Sequence, residues 1–570
     1  LKERLLSEAD LDDKAERIVR VLLEYGQAEN GSSAPPDLID SPEHRAIALE
    51  VAEESIVLLK NKDSILPLDS NSIRRLLVIG PNAAEARLGG GGSASVTPFY
   101  SVGPLEGIRE ACLGASVEVE YLEGCSLIGT MRPIQGCFES VNENGQWLPG
   151  LKAEFFNRGQ INHAPDATWI VPEVNFSWGW ASPGPGVQRT DYGVRFSGRI
   201  NPAVSGHYRL GVFAQEGYLR MSLDGKGVVN EWPDEGTFED DYQTRYSTLE
   251  YEFKAGTPVA IVIEYGKRAA RGAIRIEWEV PGMPDPLQEA ARLAGSADAV
   301  VVCAGLSSLF EGGSHDRTSI ELPVMQQRLI EVMSGVNPRT VVVLFNGGPL
   351  AMPWEPEVPA ILEAWYPGQE GGRALGRIIF GDINPSGKLP DTVACKLQDH
   401  AAAKNYPGDG DRVTYKEGLS VGYRHFDTAG IEPHYPFGFG LSYTTFEISK
   451  PELNRETAAP GDLILVSATV KNTGQRAGKE TVQLYIRPVK PPVPRPEKEL
   501  RGFQKVKLQP GEQTEVLMTI GARDLAYYDL KQGAFVVAPG QYEILVGSHS
   551  RALKGTILTI TRPVKGKSVS

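Results

Sequence analysis

Ala299-Val300-Val301-Val302-Cys303-Ala304-Gly305 is the stretch on which the fold turns. Six apolar residues in a row, closed by Gly, read as a strand buried on both faces, the kind that parallel sheets covered by helices contain. A loop follows, and a helix opens at Pro323. Within that loop lies Phe310-Glu311-Gly312-Gly313-Ser314-His315-Asp316-Arg317. It sets one carboxylate on a Gly-softened turn beyond a strand end, where an open α/β sheet carries its chemistry. The chemistry suggested is acid–base.

Working outward, Leu76-Leu77-Val78-Ile79-Gly80 reads as another short buried strand, and Val117 to Leu122, Thr340 to Phe345 and Ala360 to Trp365 read likewise. Helical patterns lie around Gln326 to Met333 and Gly371 to Phe380, and His44, Ala48, Ala52, Ile56 and Leu59 mark a helix face. This alternation predicts a largely parallel sheet with helices on both faces. It breaks between residues 126 and 284, where short runs such as Tyr208-Arg209-Leu210-Gly211-Val212 and Val259-Ala260-Ile261-Val262-Ile263 are divided by Gly, Pro and Asp. An all-β domain inserted into the α/β one is expected there. After Pro407 the pattern is again all-β, with Leu463 to Val470, Thr481 to Ile486 and Gln541 to Val546 as strands, which favours a β-sandwich.

At the other end, Ser7 and Asp10 suit a helix start, and Leu11, Ala15, Ile18, Leu22 and Tyr25 recur at helical spacing before Gly26. This helix has no apolar neighbour in sequence, so its core is expected upstream, and the chain reads as a fragment or processed piece. Residues 27–42, rich in Gly, Ser, Pro and Asp, read as a linker.

Length sets the prior at three or four domains for 570 residues. A formal charge of −14 argues against nucleic acid as a partner, because affinity for phosphate backbones is built from Lys and Arg clusters. No apolar run is long enough to cross a bilayer, so no membrane partner is expected. The five cysteines, Cys112, Cys125, Cys137, Cys303 and Cys395, have neither disulfide-framework nor metal-site spacing. No cofactor or metal is expected; Glu239-Asp240-Asp241 reads as a solvated acidic loop rather than a calcium site. Gly89-Gly90-Gly91-Gly92-Ser93 lacks the spacing and helix of a dinucleotide fingerprint, since Pro81 and Asn82 interrupt the turn after Gly80.

Several motifs carry a family likeness: Ala52-Glu53-Glu54-Ser55-Ile56-Val57-Leu58-Leu59-Lys60-Asn61, Trp365-Tyr366-Pro367-Gly368-Gln369-Glu370-Gly371-Gly372 and Asn384-Pro385-Ser386-Gly387-Lys388-Leu389-Pro390. Tyr415-Lys416-Glu417-Gly418, Val421-Gly422-Tyr423-Arg424 and Pro436-Phe437-Gly438-Phe439-Gly440-Leu441-Ser442-Tyr443-Thr444 add to them. Over nearly its whole length the chain resembles the C-terminal two-thirds of a glycoside hydrolase family 3 β-glucosidase carrying an inserted PA14 domain. The resemblance implies a multidomain α/β plus all-β fold: an α/β sandwich with an inserted PA14-like β-domain, followed by a fibronectin type III-like β-sandwich. The expected boundaries are 1–43 for the end of an N-terminal barrel plus linker, 44–125 and 285–408 for the α/β sandwich, 126–284 for the insert, 409–450 for a connecting segment and 451–570 for the last domain.

The same resemblance implies a retaining exo-β-glycosidase acting on β-linked glucosides or oligosaccharides, with its Asp nucleophile on a barrel domain or chain outside these residues. Retaining enzymes place a second carboxyl group about 5 to 5.5 Å from the nucleophile to protonate the leaving oxygen, and Glu311 is expected to be that general acid/base. Family members often carry two Glu residues in this loop; here Gly313 occupies the place nearer Asp316, which leaves Glu311. Phe310, Asp316, Arg317 and Ser93 are the substrate-contact candidates, Asp316 and Arg317 also reading as an ion pair that shapes the loop. Trp178, Trp180 and Trp232 of the insert suit sugar stacking or, more simply, packing. The exposed domain edges suggest a homodimer. A different class remains open: a non-catalytic glycan-binding or scaffold protein. Within enzymes, β-xylosidase and β-galactosidase share the same sandwich.

Overall fold

In the computed structural model the described residues are 7–24, 39–91 and 94–561, apart from 95, 97, 128–130, 143, 159–160, 180–181, 216, 234–243, 269–271, 283–284, 309, 314–316, 318 and 410–411. The chain divides into two units, Leu1–Val51 and Ala52–Ser570. In the first, helix α1 (Glu8–Glu24) starts as expected, with the Ser7 backbone N–H and hydroxyl donating to Asp10 at 2.8 and 2.7 Å and the Asp10 N–H returning a bond to the Ser7 hydroxyl at 3.2 Å. Its apolar residues Leu11, Ile18, Val19 and Leu22 are all exposed.

The second unit is built on a six-stranded sheet. Strands β1 (Val57–Asn61), β2 (Arg75–Ile79), β3 (Glu118–Leu122), β4 (Ala299–Gly305), β5 (Thr340–Phe345) and β6 (Ala360–Glu363) lie in the order β1-β6-β5-β4-β2-β3, all parallel except β1. All seven residues of β4 are buried. Its Val300, Val302 and Ala304 join β2, β5 and the helices α4 (Pro286–Ser296) and α5 (Val324–Val336) in one core through Ala290, Leu329 and Met333. The alternating Val301 and Cys303 face the other way and are equally buried, each such side chain contributing about 1.5–3 kcal/mol from burial. Helices α3 (Pro104–Ala111) and α6 (Gly371–Ile379) pack on each other.

One expectation is corrected. Helix α2 (Pro42–Ser55) stops before the apolar face does, and Ile56 and Leu59 are not helical. Ile56-Val57-Leu58-Leu59 is a continuous run at 0–2 % exposure, and β1 within it pairs antiparallel to β6, Val57 against Glu363. A run buried all round fits a helix period by accident; β-branching and the free edge of β6 decide for strand.

Between β3 and α4 the chain forms eight-stranded and five-stranded antiparallel sheets that share a core, in which Phe196, Tyr208, Val212, Ile263 and Ile276 meet. Trp178 belongs to it, stacked on Phe176 at 5.1 Å and set edge-on to Tyr192, and Trp232 lies under Arg220. Packing, not an open sugar platform, accounts for Trp178. Trp180 and the acidic run 239–241 lie outside the described residues. The C-terminal strands form four- and five-stranded sheets around Val466, Val482, Leu484, Ile544 and Val546.

Two of the sequence motifs knit this last domain to the α/β sheet. Asn384 Oδ1 accepts from the Tyr443 N–H at 2.7 Å and the Ser442 hydroxyl at 2.8 Å, while Lys388 Nζ donates to the Gly440 carbonyl at 2.8 Å and pairs with Glu480 at 2.7 Å.

Candidate active site

The parallel strands run in chain order β2, β3, β4, β5, β6 but in spatial order β3-β2-β4-β5-β6. Connections therefore leave β2 and β4 in opposite directions. The crevice beyond the carboxyl ends of those two strands is the switch point where open α/β sheets bind ligands. Gly80-Pro81-Asn82 and Gly305-Leu306-Ser307 form its two lips, tied by the Asn82 N–H to the Cys303 carbonyl at 3.2 Å. Pro81, Arg87, Ser307 and Ser308 on this side, with Phe213 and Arg275 of the inserted sheets opposite, line a cleft of about 120 Å³.

Glu311 stands within the loop that follows β4, its side chain 12 % exposed. The loop turns on itself, the Phe310 and Glu311 N–H groups both donating to the Ser307 carbonyl, at 2.9 and 3.3 Å. From the insert, Gln215 Nε2 donates to the Ser308 carbonyl at 3.0 Å. Phe310 packs partly buried against the α/β core.

Two groups from elsewhere hold the Glu311 carboxylate. The Tyr366 hydroxyl donates to Oε1 at 2.5 Å and the Gly347 N–H donates to the same oxygen. Burial foremost, then the negative charge of Glu311, pushes the Tyr366 phenol far above its ordinary value, so it stays a donor. The second oxygen, Oε2, faces the Arg317 guanidinium at 3.5 Å, and Arg317 is itself anchored to the Pro349 carbonyl at 2.9 Å. Oε1 is thus committed to two donors, while Oε2 meets the Arg317 guanidinium at the longer distance.

Gly90 and Gly347 make room for this. A Cβ on Gly347 would stand 3.2 Å from both Glu311 Oε1 and Tyr366 Cε2, and one on Gly90 3.1 Å from Tyr366 Cε2. The Gly-rich loop approaches the acid because it has no side chains there.

Behind Tyr366, Glu363 ends β6 at 3 % exposure. Its Oε1 accepts the Trp365 N–H at 2.9 Å and its Oε2 accepts Asn346 Nδ2 at 3.1 Å. Burial pushes the Glu363 carboxyl up to about 8, with the nearby Glu311 charge adding to the effect.

Of the residues expected from sequence, Glu311, Phe310 and Arg317 share one loop and Arg317 faces Glu311 directly. Asp316 and Ser93, like His315, lie outside the described residues. Sequence reasoning missed Tyr366 and Gly347 as partners of Glu311, and Asn346 and Glu363 as the bonded pair behind them. Tyr366 sits in a motif read only for likeness, and nothing in its local pattern points to a residue 55 positions away.

The glycosyl hydrolase family 3 C-terminal domain model matches residues 56–443, and the fibronectin type III-like domain model matches 480–550. A β-glucosidase of Rhizobium radiobacter is 35 % identical over 555 residues, covering 95 % of this chain and 66 % of the relative. A probable β-glucosidase I of Aspergillus clavatus is 33 % identical, covering 92 % and 64 % respectively. The chain therefore spans about two thirds of the length of these relatives. Among solved structures, β-glucosidase from Kluyveromyces marxianus superposes with a TM-score of 0.77 at 29 % identity, over 99 % of this chain and 68 % of that one. With the family model matching more than half of its length and both domain matches lying on the sheets described above, the chain belongs to glycosyl hydrolase family 3, of which it carries the C-terminal domain and the fibronectin type III-like domain.

Proposed function

We propose that this chain is the acid/base half of a retaining exo-β-glucosidase that releases terminal β-D-glucosyl residues from short oligosaccharides or aryl glucosides. Glu311 is the general acid/base, Phe310, Asp316, Arg317 and Ser93 contribute to substrate contact, and the Asp nucleophile comes from a barrel, in a longer chain or a separate one. The observation that carries the reading is the placement of Glu311 beyond the carboxyl end of β4, with one oxygen fixed by Tyr366 and Gly347 and the other facing Arg317 at 3.5 Å. The names of the relatives cited support the substrate class: they read β-glucosidase or probable β-glucosidase, and the Kluyveromyces marxianus and Streptomyces venezuelae enzymes have been solved with glucose.

In the reaction, Glu311 gives its proton to the glycosidic oxygen as the barrel carboxylate attacks the anomeric carbon. It then takes a proton from the water that hydrolyses the glycosyl-enzyme. The double-sheet insert, which we read as PA14-like, reaches the acid loop through Gln215 and walls the cleft with Phe213 and Arg275. We carry the domain boundaries given above, and the homodimer, as part of the same proposal; light scattering that returns a monomer mass at every concentration removes the dimer.

The test is hydrolysis of an aryl β-glucoside with the barrel present, comparing the parent protein with Glu311→Ala. Loss of a general acid is expected to lower turnover about 10²–10⁴-fold. Azide is expected to restore turnover of a dinitrophenyl glucoside, whose leaving group needs no proton, with β-glucosyl azide as product. Unchanged turnover in the variant removes Glu311 as the acid, and sugar binding without turnover makes the chain a binding module instead.

A further inference from the structure

Glu363 and Glu311 never touch, yet one dipeptide holds both. At the end of β5, the Gly347 N–H donates to Glu311 Oε1, and the preceding Asn346 donates its Nδ2 to Glu363 Oε2 at 3.1 Å. At the end of β6, Glu363 Oε1 accepts the Trp365 N–H at 2.9 Å, and the next residue along, Tyr366, sends its hydroxyl to Glu311 Oε1. Trp365 has φ of +56°, a left-handed conformation that a bulky residue adopts at a cost of about 1–3 kcal/mol and keeps only when its surroundings over-determine it. The Glu363 bond to its N–H is the restraint the structure shows. Each donor on Glu311 thus comes from a turn that Glu363 grips.

Resting on the reading of Glu311 as the acid, we propose that Glu363 is a positioning residue: a buried carboxyl that locks the turns after β5 and β6 together, so that Gly347 and Tyr366 stay on Glu311, and whose ionisation adds a negative charge behind that clamp. Glu363 is fully enclosed, and that burial outweighs the two hydrogen bonds it accepts, which favour the charged form, so its proton leaves late, at about pH 8. The charged group that acts on it is Glu311; Arg317 and Arg87 act on Tyr366, on the far side of the clamp. Ionisation of Glu363 adds a negative charge beside Glu311, so the two carboxyl groups interact.

The experiment needs no turnover, so its failure is separate from failure of the glucosidase reading. The protein is labelled with carbon-13 at the tyrosine ring Cζ, the Tyr366 resonance is identified by its loss in Tyr366→Phe, and it is followed between roughly pH 6 and 10, below the ordinary phenol range. The expected result is a step in the Tyr366 resonance with a midpoint at about pH 8, absent in Glu363→Gln, with Glu363→Ala displacing the resonance at pH 6 as well. The Gln variant keeps an acceptor for Trp365 and is expected at the parent position at pH 6. A step that persists in Glu363→Gln, or a parent protein with no step, overturns the ionisation; a resonance unmoved in Glu363→Ala overturns the positioning.

Discussion

The Tyr366 hydroxyl lies 2.5 Å from Oε1 of Glu311, joining the turn after β6 to the loop after β4, across the intervening strand β5. A donor on a carboxylate in a part-buried site is worth about 1.5–3 kcal/mol. It does so here only because Gly90 and Gly347 leave the phenol ring room to reach.

Tyr366→Phe keeps the ring and removes the bond. The variant is expected to fold, to lose about 1.5–3 kcal/mol of stability, and to lower turnover of an aryl β-glucoside by about tenfold or more while leaving KM nearly unchanged. Urea unfolding and steady-state kinetics check the two halves.

Gly90→Ala puts a methyl group 3.1 Å from Tyr366 Cε2 and 3.8 Å from Glu311 Cγ. The ring has to give way, an overpacking cost of about 1–3 kcal/mol. Turnover is expected to fall alongside thermal stability, and a variant as active as the parent would show that the Gly-rich loop does not need its close approach.

Gln215→Ala removes the one bond described between the inserted sheets and the Ser308 carbonyl. Amide exchange in residues 306–311 is expected to quicken, while exchange in β4 and β5 stays unchanged, as read by hydrogen–deuterium exchange mass spectrometry.

Asp427, with its side chain 2 % exposed, pairs with Lys498 at 2.6 Å and Arg551 at 3.0 Å, linking the helix Tyr423–Ala429 to the C-terminal sandwich. Removing one partner of a buried pair strands the other charge, so Asp427→Asn is expected to cost about 3–5 kcal/mol. Denaturant unfolding followed with a probe in each domain checks it.

His549 sets a pH dependence on the acid side. Burial, then the nearby Lys388, pulls its imidazole down to about 4, and its Nδ1 accepts the Arg551 N–H at 3.2 Å, a bond that protonation of that nitrogen breaks. The folded value lies below the unfolded value of about 6.5, so its stabilising effect is full above pH 6.5 and is lost as pH falls toward 4. The melting temperature of His549→Gln is expected to fall less steeply than the parent's over that window.

The strand through Ala299–Gly305 and the carboxylate beyond it were legible because both are local facts: an unbroken apolar run and one Glu followed by two glycines. The run Ile56-Val57-Leu58-Leu59 shows the limit of such reading. Its residues satisfy a helical period and a buried strand equally, and the free edge of β6, 300 residues away, decides between them.

The alternation of strand and helix, the β-rich interruption, the terminal sandwich and the candidacy of Glu311 were determined by the sequence alone. Only the tertiary structure decided what holds that acid. Gly347 and Tyr366 come to it from 36 and 55 positions along the chain, with Asn346 and Glu363 bonded to each other behind them, because the strands lie in the order β4-β5-β6, setting the turns after β5 and β6 alongside the β4 loop. Periodicity reports which face of an element is buried; which side chains meet at the ends of neighbouring strands depends on sheet order, and sheet order is a property of the packed whole.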